Sequence, residues 1–145
     1  MALQFRNIDA DPADPVETWG VEGMLTAVER GYLPHWQRIV AAVRADPYGQ
    51  VADDLAAALD AADRAGATVL LRRALDRAQA GDAGEVARRV DLAVACSGLS
   101  LRQFAVQAGT SPSRLSSYRT GSVVPRADVL VRIERTSREC ARARM

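Results

Sequence analysis

Residues 98–135 decide the fold, and they read GLSLRQFAVQAGTSPSRLSSYRTGSVVPRADVLVRIER. Ser100 and Gln103 have the spacing of a capping box, in which each side chain bonds a backbone donor near the other residue. The sequence therefore predicts a short helix that begins at Leu101. The helix should end at Gly109, because glycine adopts a positive φ without strain.

A second short helix follows this turn. Ser111 can cap its N-terminus, and Pro112 suits the first helical position because its missing amide proton would be unpaired there anyway. Leu115 and Tyr118 form the stripe that we expect to face inward, and Gly121 ends the helix. Two short helices around a tight turn have the form of a helix-turn-helix, which places its second helix in the major groove of DNA.

The opposite face of this second helix carries hydroxyl groups. At 100° per residue, the side chains that point away from the inward stripe are Ser113, Ser116, Ser117 and Thr120. Small hydroxyl side chains let a helix approach base edges closely, and arginines beside them can reach guanine or phosphate. We expect Arg114 to discriminate most strongly between bases and Arg119 to contact phosphate.

The segment from about Glu85 to Arg135 resembles the Cro and phage-repressor family of DNA-binding domains, also called the XRE family. The shared marks are Gly-Leu-Ser before the second helix of that domain, Phe104-Ala105, the Gly109-Thr-Ser turn, Leu115, Tyr118, Gly121, and Pro125 before an apolar helix. The resemblance implies that the first, second and sixth positions of the recognition helix touch bases. These positions are Pro112, Ser113 and Ser117.

Three departures from the family pattern affect these expectations. Leu101 stands where the family often has a backbone-contacting glutamine, and we expect Arg102 to supply a phosphate contact instead. Arg126 replaces the serine that usually follows the proline, which removes a helix cap and adds a charge that can face phosphate. The tail from Thr136 to Met145 leaves little room for the family's fifth helix, so it either extends the fourth helix or frays.

Together these considerations give two sets of candidate DNA contacts. The predicted base contacts are Pro112, Ser113, Arg114, Ser116 and Ser117. The predicted phosphate contacts are Arg102, Ser111, Arg119, Thr120 and Arg126. The alternative interpretation is a helical hairpin that merely packs, and we expect Leu99, Phe104, Leu115, Tyr118, Val129 and Ile133 to be core residues in either case.

Charge is distributed unevenly along the chain, although the formal total is only +1. Residues 1–83 contain 8 Arg and 13 Asp or Glu, a charge of −5, and residues 84–145 contain 11 Arg and 5 Asp or Glu, a charge of +6. This asymmetry indicates a nucleic-acid module joined to an acidic part. All the positive side chains are Arg, which favours bidentate contacts but also reflects the Ala- and Arg-rich codon usage of a GC-rich genome.

The remaining sequence predicts an all-α protein of four segments. Residues 1–13 should be irregular or mobile, 14–83 an acidic helical domain, 84–135 the DNA-binding domain, and 136–145 a basic tail. In the acidic domain we expect one helix from Asp14-Pro15 to Gly31 and another from Pro34. A third should be capped by Asp46-Pro47 and reach Gly66, and a fourth should pack through Val69, Leu70, Ala74 and Ala78 and end near a linker at 81–84.

Other classes of site receive little support from the sequence. Cys96, in a predicted core helix, Cys140 and the single His35 make no metal-ligand set, and we interpret both cysteines as reduced thiols of a cytoplasmic protein. Asp53-Asp54 should be solvated on an exposed helix face, and His35 should be a satisfied surface or half-buried residue. No apolar run is long enough for a membrane span and no signal peptide is expected. We therefore expect neither an enzyme nor a cofactor.

Two functions follow from this organisation. The first is a sequence-specific transcription regulator, a homodimeric repressor that binds double-stranded DNA through residues 100–126. The second is an antitoxin, in which the acidic half binds a co-encoded toxin and the DNA-binding half regulates the operon. The aromatic residues of the acidic half either build its core, as we favour, or anchor a partner. They are Trp19, Tyr32, Trp36 and Tyr48. The alanine-rich face of the third helix is a second possible contact with a partner.

Overall fold

The computed structural model describes residues 2–63 and 66–145, and these residues form seven α-helices, one short 3-10 helix and no strand. The all-α class predicted from the sequence is therefore confirmed. The elements are the 3-10 helix Val16–Thr18, α1 (Gly20–Arg30), α2 (Leu33–Ala45), α3 (Gln50–Ala61), α4 (Gly66–Ser97), α5 (Leu101–Ala108), α6 (Pro112–Thr120) and α7 (Ala127–Ala143).

The chain divides into two compact units, Met1–Gln79 and Ala80–Met145, and each has its own hydrophobic core. The division falls four residues before the predicted boundary at 83/84. The expected linker at 81–84 is helical apart from Gly81, whose φ of 65° and ψ of −159° interrupt α4. We call residues 2–79 the acidic unit and residues 80–145 the basic unit.

In the acidic unit, α1 and α2 pack against α3 around a core that contains Trp19, Met24, Ile39 and Leu55. Small side chains allow the close approach of these helices, and Ala27, Ala52 and Ala58 are completely buried. The alanine-rich face of α3 is therefore used inside this unit, so it is not available to a partner as the sequence had suggested.

The N-terminal segment is irregular, as predicted, but it is packed rather than loose. The Phe5 ring meets the Trp19 ring edge-on at a centroid distance of 5.3 Å. The Arg38 guanidinium lies 5.1 Å from the centre of the Trp19 ring and donates hydrogen bonds to the carbonyl oxygens of Pro12 and Asp14. A cation above an indole face and two charged hydrogen bonds hold the segment against α2. Met1 of the predicted segment lies outside the described residues.

Two of the predicted helix starts are wrong. The first helix is divided, because Gly20 has a φ of +64° and separates the 3-10 helix from α1. Asp46 ends α2 instead of capping α3, which begins at Gln50 after Gly49. The Asp46 carboxylate lies over Gly49, where an added Cβ atom would be 2.1 Å from Oδ2, so a larger residue at position 49 would require this carboxylate to move. α3 ends at Ala61, and residues 64–65 of the predicted helix lie outside the described residues.

Three predictions of burial in the acidic unit are also corrected. In α4 the side chains of Ala67, Leu71 and Leu75 are buried, and the predicted Ala78 packs against the same core, whereas Val69 and Leu70 are more than half exposed. Asp54 is buried and accepts a hydrogen bond of 2.9 Å from Gln50 Nε2, instead of being solvated. The aromatic residues divide, since Trp19 is buried and Trp36 half-buried while Tyr32 and Tyr48 are exposed.

The basic unit packs α5, α6 and α7 with the C-terminal part of α4. Its fully buried side chains include Val90, Phe104, Leu115 and Ile133. The predicted core residues Leu99, Tyr118 and Val129 are only half-buried and pack around this centre. α7 continues to Ala143, so the tail extends the helix after Pro125.

Candidate nucleic-acid interface

The turn between α5 and α6 is built from local hydrogen bonds. Ser100 Oγ accepts a hydrogen bond from the Gln103 amide at 3.2 Å, and Gln103 Oε1 accepts one from the Ser100 amide at 3.0 Å. Gly109 adopts the left-handed conformation with a φ of 71° and ψ of 37°. Ser111 Oγ then accepts a hydrogen bond from the Arg114 amide at 3.1 Å. The predicted capping box, turn and second cap are all present.

α6 is attached to the basic unit by one side and leaves the other side exposed. Leu115 is completely buried and Tyr118 half-buried. Four of the five predicted base-contacting residues are exposed, namely Pro112, Ser113, Arg114 and Ser116, while the fifth, Ser117, is half-buried. The outward direction derived from the 100° rotation is therefore correct for Ser113, Ser116 and Thr120, but only in part for Ser117.

The hydroxyl groups of this face differ in their hydrogen bonding. Ser117 Oγ donates to the Ser113 carbonyl at 3.2 Å, and Thr120 Oγ1 donates to the Ser117 carbonyl at 3.2 Å. These two hydroxyls already use their protons and present only acceptor lone pairs. In the described part of the chain, the hydroxyls of Ser113 and Ser116 have no hydrogen-bond partner, so they can still donate as well as accept.

Two arginines of the basic unit have exposed guanidinium groups without a partner among residues 2–63 and 66–145. Arg114 lies in the first turn of α6, and Arg102 lies in the first turn of α5. Arg126, before α7, has an 85% exposed side chain and a loose contact of 3.3 Å between its Nε and Asp128 Oδ1. These three charges are available to an external anion.

Arg119 is not available in the same way. Its Nε and Nη2 atoms lie 2.9 Å and 2.8 Å from Asp91 Oδ1 on α4. The prediction that Arg119 contacts phosphate therefore requires an existing ion pair to be broken. Sequence reasoning missed Asp91, because 28 residues separate the partners and only the packing of α6 near α4 brings them together.

A further group of arginines lies on α7. Arg135, Arg138 and Arg142 are exposed and have no ion-pair or hydrogen-bond partner in the described residues. Their spacings of three and four residues place them on one face of the helix. The sequence reasoning had included them only as part of a basic tail, although their helical spacing could have been recognised.

Other polar groups of the basic unit include a surface ion pair and the two cysteines. Arg88 Nε and Nη2 donate hydrogen bonds to the Glu85 carboxylate, which raises the pKa of the guanidinium. Cys96 lies on α4 as expected, but its thiol is exposed rather than in the core. Cys140 is half-buried, and its Sγ lies 3.2 Å from Gln107 Oε1.

In the acidic unit, His35 Nδ1 accepts a hydrogen bond of 3.0 Å from the Tyr32 amide. This half-buried histidine therefore has a hydrogen-bond partner in the capping box at the start of α2.

Among the described residues, no group of three or more His, Cys, Asp or Glu side chains is arranged to hold a metal ion. No described helix combines the length and apolar character that crossing a bilayer requires.

Comparison of the chain with known protein families, with curated proteins and with solved structures finds no match.

Proposed function

We propose that this protein is a sequence-specific transcription regulator, a dimeric repressor that reads the major groove of double-stranded DNA with α6. The observation that carries this proposal is the two-sided character of α6. Leu115 is fully buried, whereas Pro112, Ser113, Arg114 and Ser116 lie exposed on the other side. A short helix with a hydroxyl-rich exposed face and an unpaired arginine suits close approach to base edges.

The major groove is about 12 Å wide and admits an α-helix. Arg114 is the best candidate for a bidentate contact with guanine O6 and N7, since its guanidinium has no competing partner in the described chain. Ser113, Ser116 and Ser117 are permissive hydrogen-bonding groups beside it. Arg102, Ser111 and Arg126 remain the proposed phosphate contacts, and helix N-termini add favourable backbone dipoles. The proposed contact of Thr120 with phosphate requires its hydroxyl proton to turn away from the Ser117 carbonyl.

Dimerisation is part of the proposal because two copies can present two recognition helices about one DNA turn apart. A two-fold symmetric pair then binds a palindromic operator. The resemblance of residues 85–135 to the Cro and phage-repressor family supports the same assembly. A protein of this function would be cytoplasmic and associated with the nucleoid when bound.

The experiment that tests the proposal is selection of bound duplexes from a random DNA pool by the full-length protein. We expect enrichment of one motif with two-fold symmetry, whose affinity falls steeply with salt as counterions return to the phosphates. A pool that stays unenriched after repeated rounds would refute sequence-specific binding. An enriched motif without symmetry would refute the dimer but not the recognition helix.

An antitoxin is a second candidate, favoured by the separation of the chain into two compact units of opposite charge. In this case the acidic unit would bind a co-encoded toxin and the basic unit would regulate the operon. Copurification from the native host, together with inspection of the neighbouring reading frame, distinguishes the two. A stoichiometric small partner encoded next to the gene supports the antitoxin, and purification without a partner supports the repressor.

A further inference from the structure

We infer that Asp91 sets the strength of sequence-independent DNA binding by holding Arg119 away from the phosphate backbone. The inference rests on the proposed function. Both the Nε and the Nη2 atoms of Arg119 contact the same oxygen, Asp91 Oδ1, at 2.9 Å and 2.8 Å. This forked contact uses two of the five donors of the guanidinium and turns its charged edge toward α4.

The pairing of Arg119 distinguishes it from the other arginines near the exposed face of α6. The side chain of Arg119 is 38% exposed, compared with 85% for Arg126, whose contact with Asp128 is longer at 3.3 Å. Arg114 has no side-chain partner in the described residues. Among the four arginines proposed to contact DNA, Arg119 is thus the one with a close carboxylate on another helix.

The consequence for DNA binding follows from counterion release. Each phosphate that an arginine neutralises adds about 0.9 to the magnitude of the slope of log K against log salt. A guanidinium that is already neutralised by Asp91 adds nothing to this slope while the pair is intact. The carboxylate also repels phosphates, so Asp91 lowers affinity for every duplex, whatever its sequence.

The test is the salt dependence of duplex binding by full-length Asp91→Asn. Asparagine keeps the size of the side chain and removes its charge, and exposed ion pairs contribute little to folding, so we expect the variant to remain folded. The slope should become steeper by about 0.9, which changes affinity by a further threefold or so between 50 and 200 mM salt. The gain should be equal for the selected operator and for an unrelated duplex, because phosphates are common to both.

The double variant Asp91→Asn with Arg119→Gln identifies the source of the gain. It lacks both partners, so its slope should return to that of the wild-type protein. If the slope of log K against log salt for the double variant stays as steep as that for Asp91→Asn, the gain in DNA affinity does not come from Arg119 and the inference is wrong. The inference also fails if Asp91→Asn changes operator binding alone or leaves the slope unchanged.

Glu139→Gln provides a matched control, since it removes one negative charge from the same unit at an exposed position of α7. A slope change as large as that of Asp91→Asn would mean that only net charge matters, which contradicts the inference. Failure of the proposed function is recognised separately. In that case the wild-type protein enriches no motif from the random pool, whereas failure of the inference alone leaves wild-type enrichment and operator binding intact.

Discussion

Substitution of Arg114 by Ala provides the sharpest test of whether the exposed face of α6 contacts DNA bases, as proposed. The guanidinium of Arg114 is exposed and has no partner in the described chain, so contact with a base breaks no existing ion pair. A bidentate arginine–guanine contact contributes about 1–3 kcal/mol of discrimination, so operator affinity should fall roughly 5- to 150-fold. Folding should change by less than about 0.5 kcal/mol, because the substitution lies on the surface and the Ser111 cap uses only the backbone amide of residue 114.

The assay is fluorescence anisotropy with the selected operator and with a scrambled duplex at one salt concentration, accompanied by thermal melting. The affinity of Arg114→Ala for the scrambled duplex should fall only by the contribution of one positive charge. Arg135→Ala on α7 is the matched control, since Arg135 is likewise exposed and has no partner in the described residues of the same unit. Equal losses on both duplexes, or equal losses from the two variants, would refute base recognition by Arg114.

Three further predictions concern the surroundings of α6. Arg126→Ala should weaken operator and unrelated duplexes by about the same factor, as a phosphate contact does, and a selective loss on the operator would contradict this role. Ser100→Ala should destabilise the protein by about 1 kcal/mol in urea titration through loss of its cap, whereas Ser116→Ala, which has no partner in the described residues, should change stability by less than about 0.5 kcal/mol. Gly109→Ala should lower the free energy of unfolding by about 1–2 kcal/mol through its positive φ alone, because the nearest side-chain atom, on Arg132, would lie 3.9 Å from the new Cβ. Gly109→Asn should lower it less, because asparagine tolerates a positive φ better than alanine does. Equal losses of stability in the two variants would show that the penalty does not come from the positive φ.

The local features of the basic unit were predictable because they depend on residues three or four positions apart. The capping box of Ser100 and Gln103 and the cap at Ser111 are of this kind. The buried position of Leu115 followed from the same periodicity. A pattern that fixes both ends and the inward side of a helix also fixes which residues it exposes.

The predictions that were wrong or missing concern positions at which the sequence fits two arrangements equally well or gives no local signal. Leu70 and Leu71 are adjacent, so α4 could have buried either of two stripes, and packing against α1–α3 selected the one that contains Leu71. Asp46-Pro47 fits the start of one helix as well as the end of another, and in the structure Asp46 ends α2. The pairing of Arg119 with Asp91 is tertiary and left no local signal.

The attachment of α6 through a single fully buried side chain has a consequence for its dynamics. Outside its caps, the nine-residue helix is held to the core chiefly by Leu115, with half-buried Tyr118 beside it. Helices this short are marginal on their own, so opening of α6 requires less free energy than opening of the whole unit. Its amide protons should exchange with solvent sooner than those around Ile133. Loss-of-function variants from a genetic screen should therefore include core residues that contact no ligand, because weakened packing around Leu115 unfolds α6, and with it the proposed DNA-contacting face, before the rest of the unit.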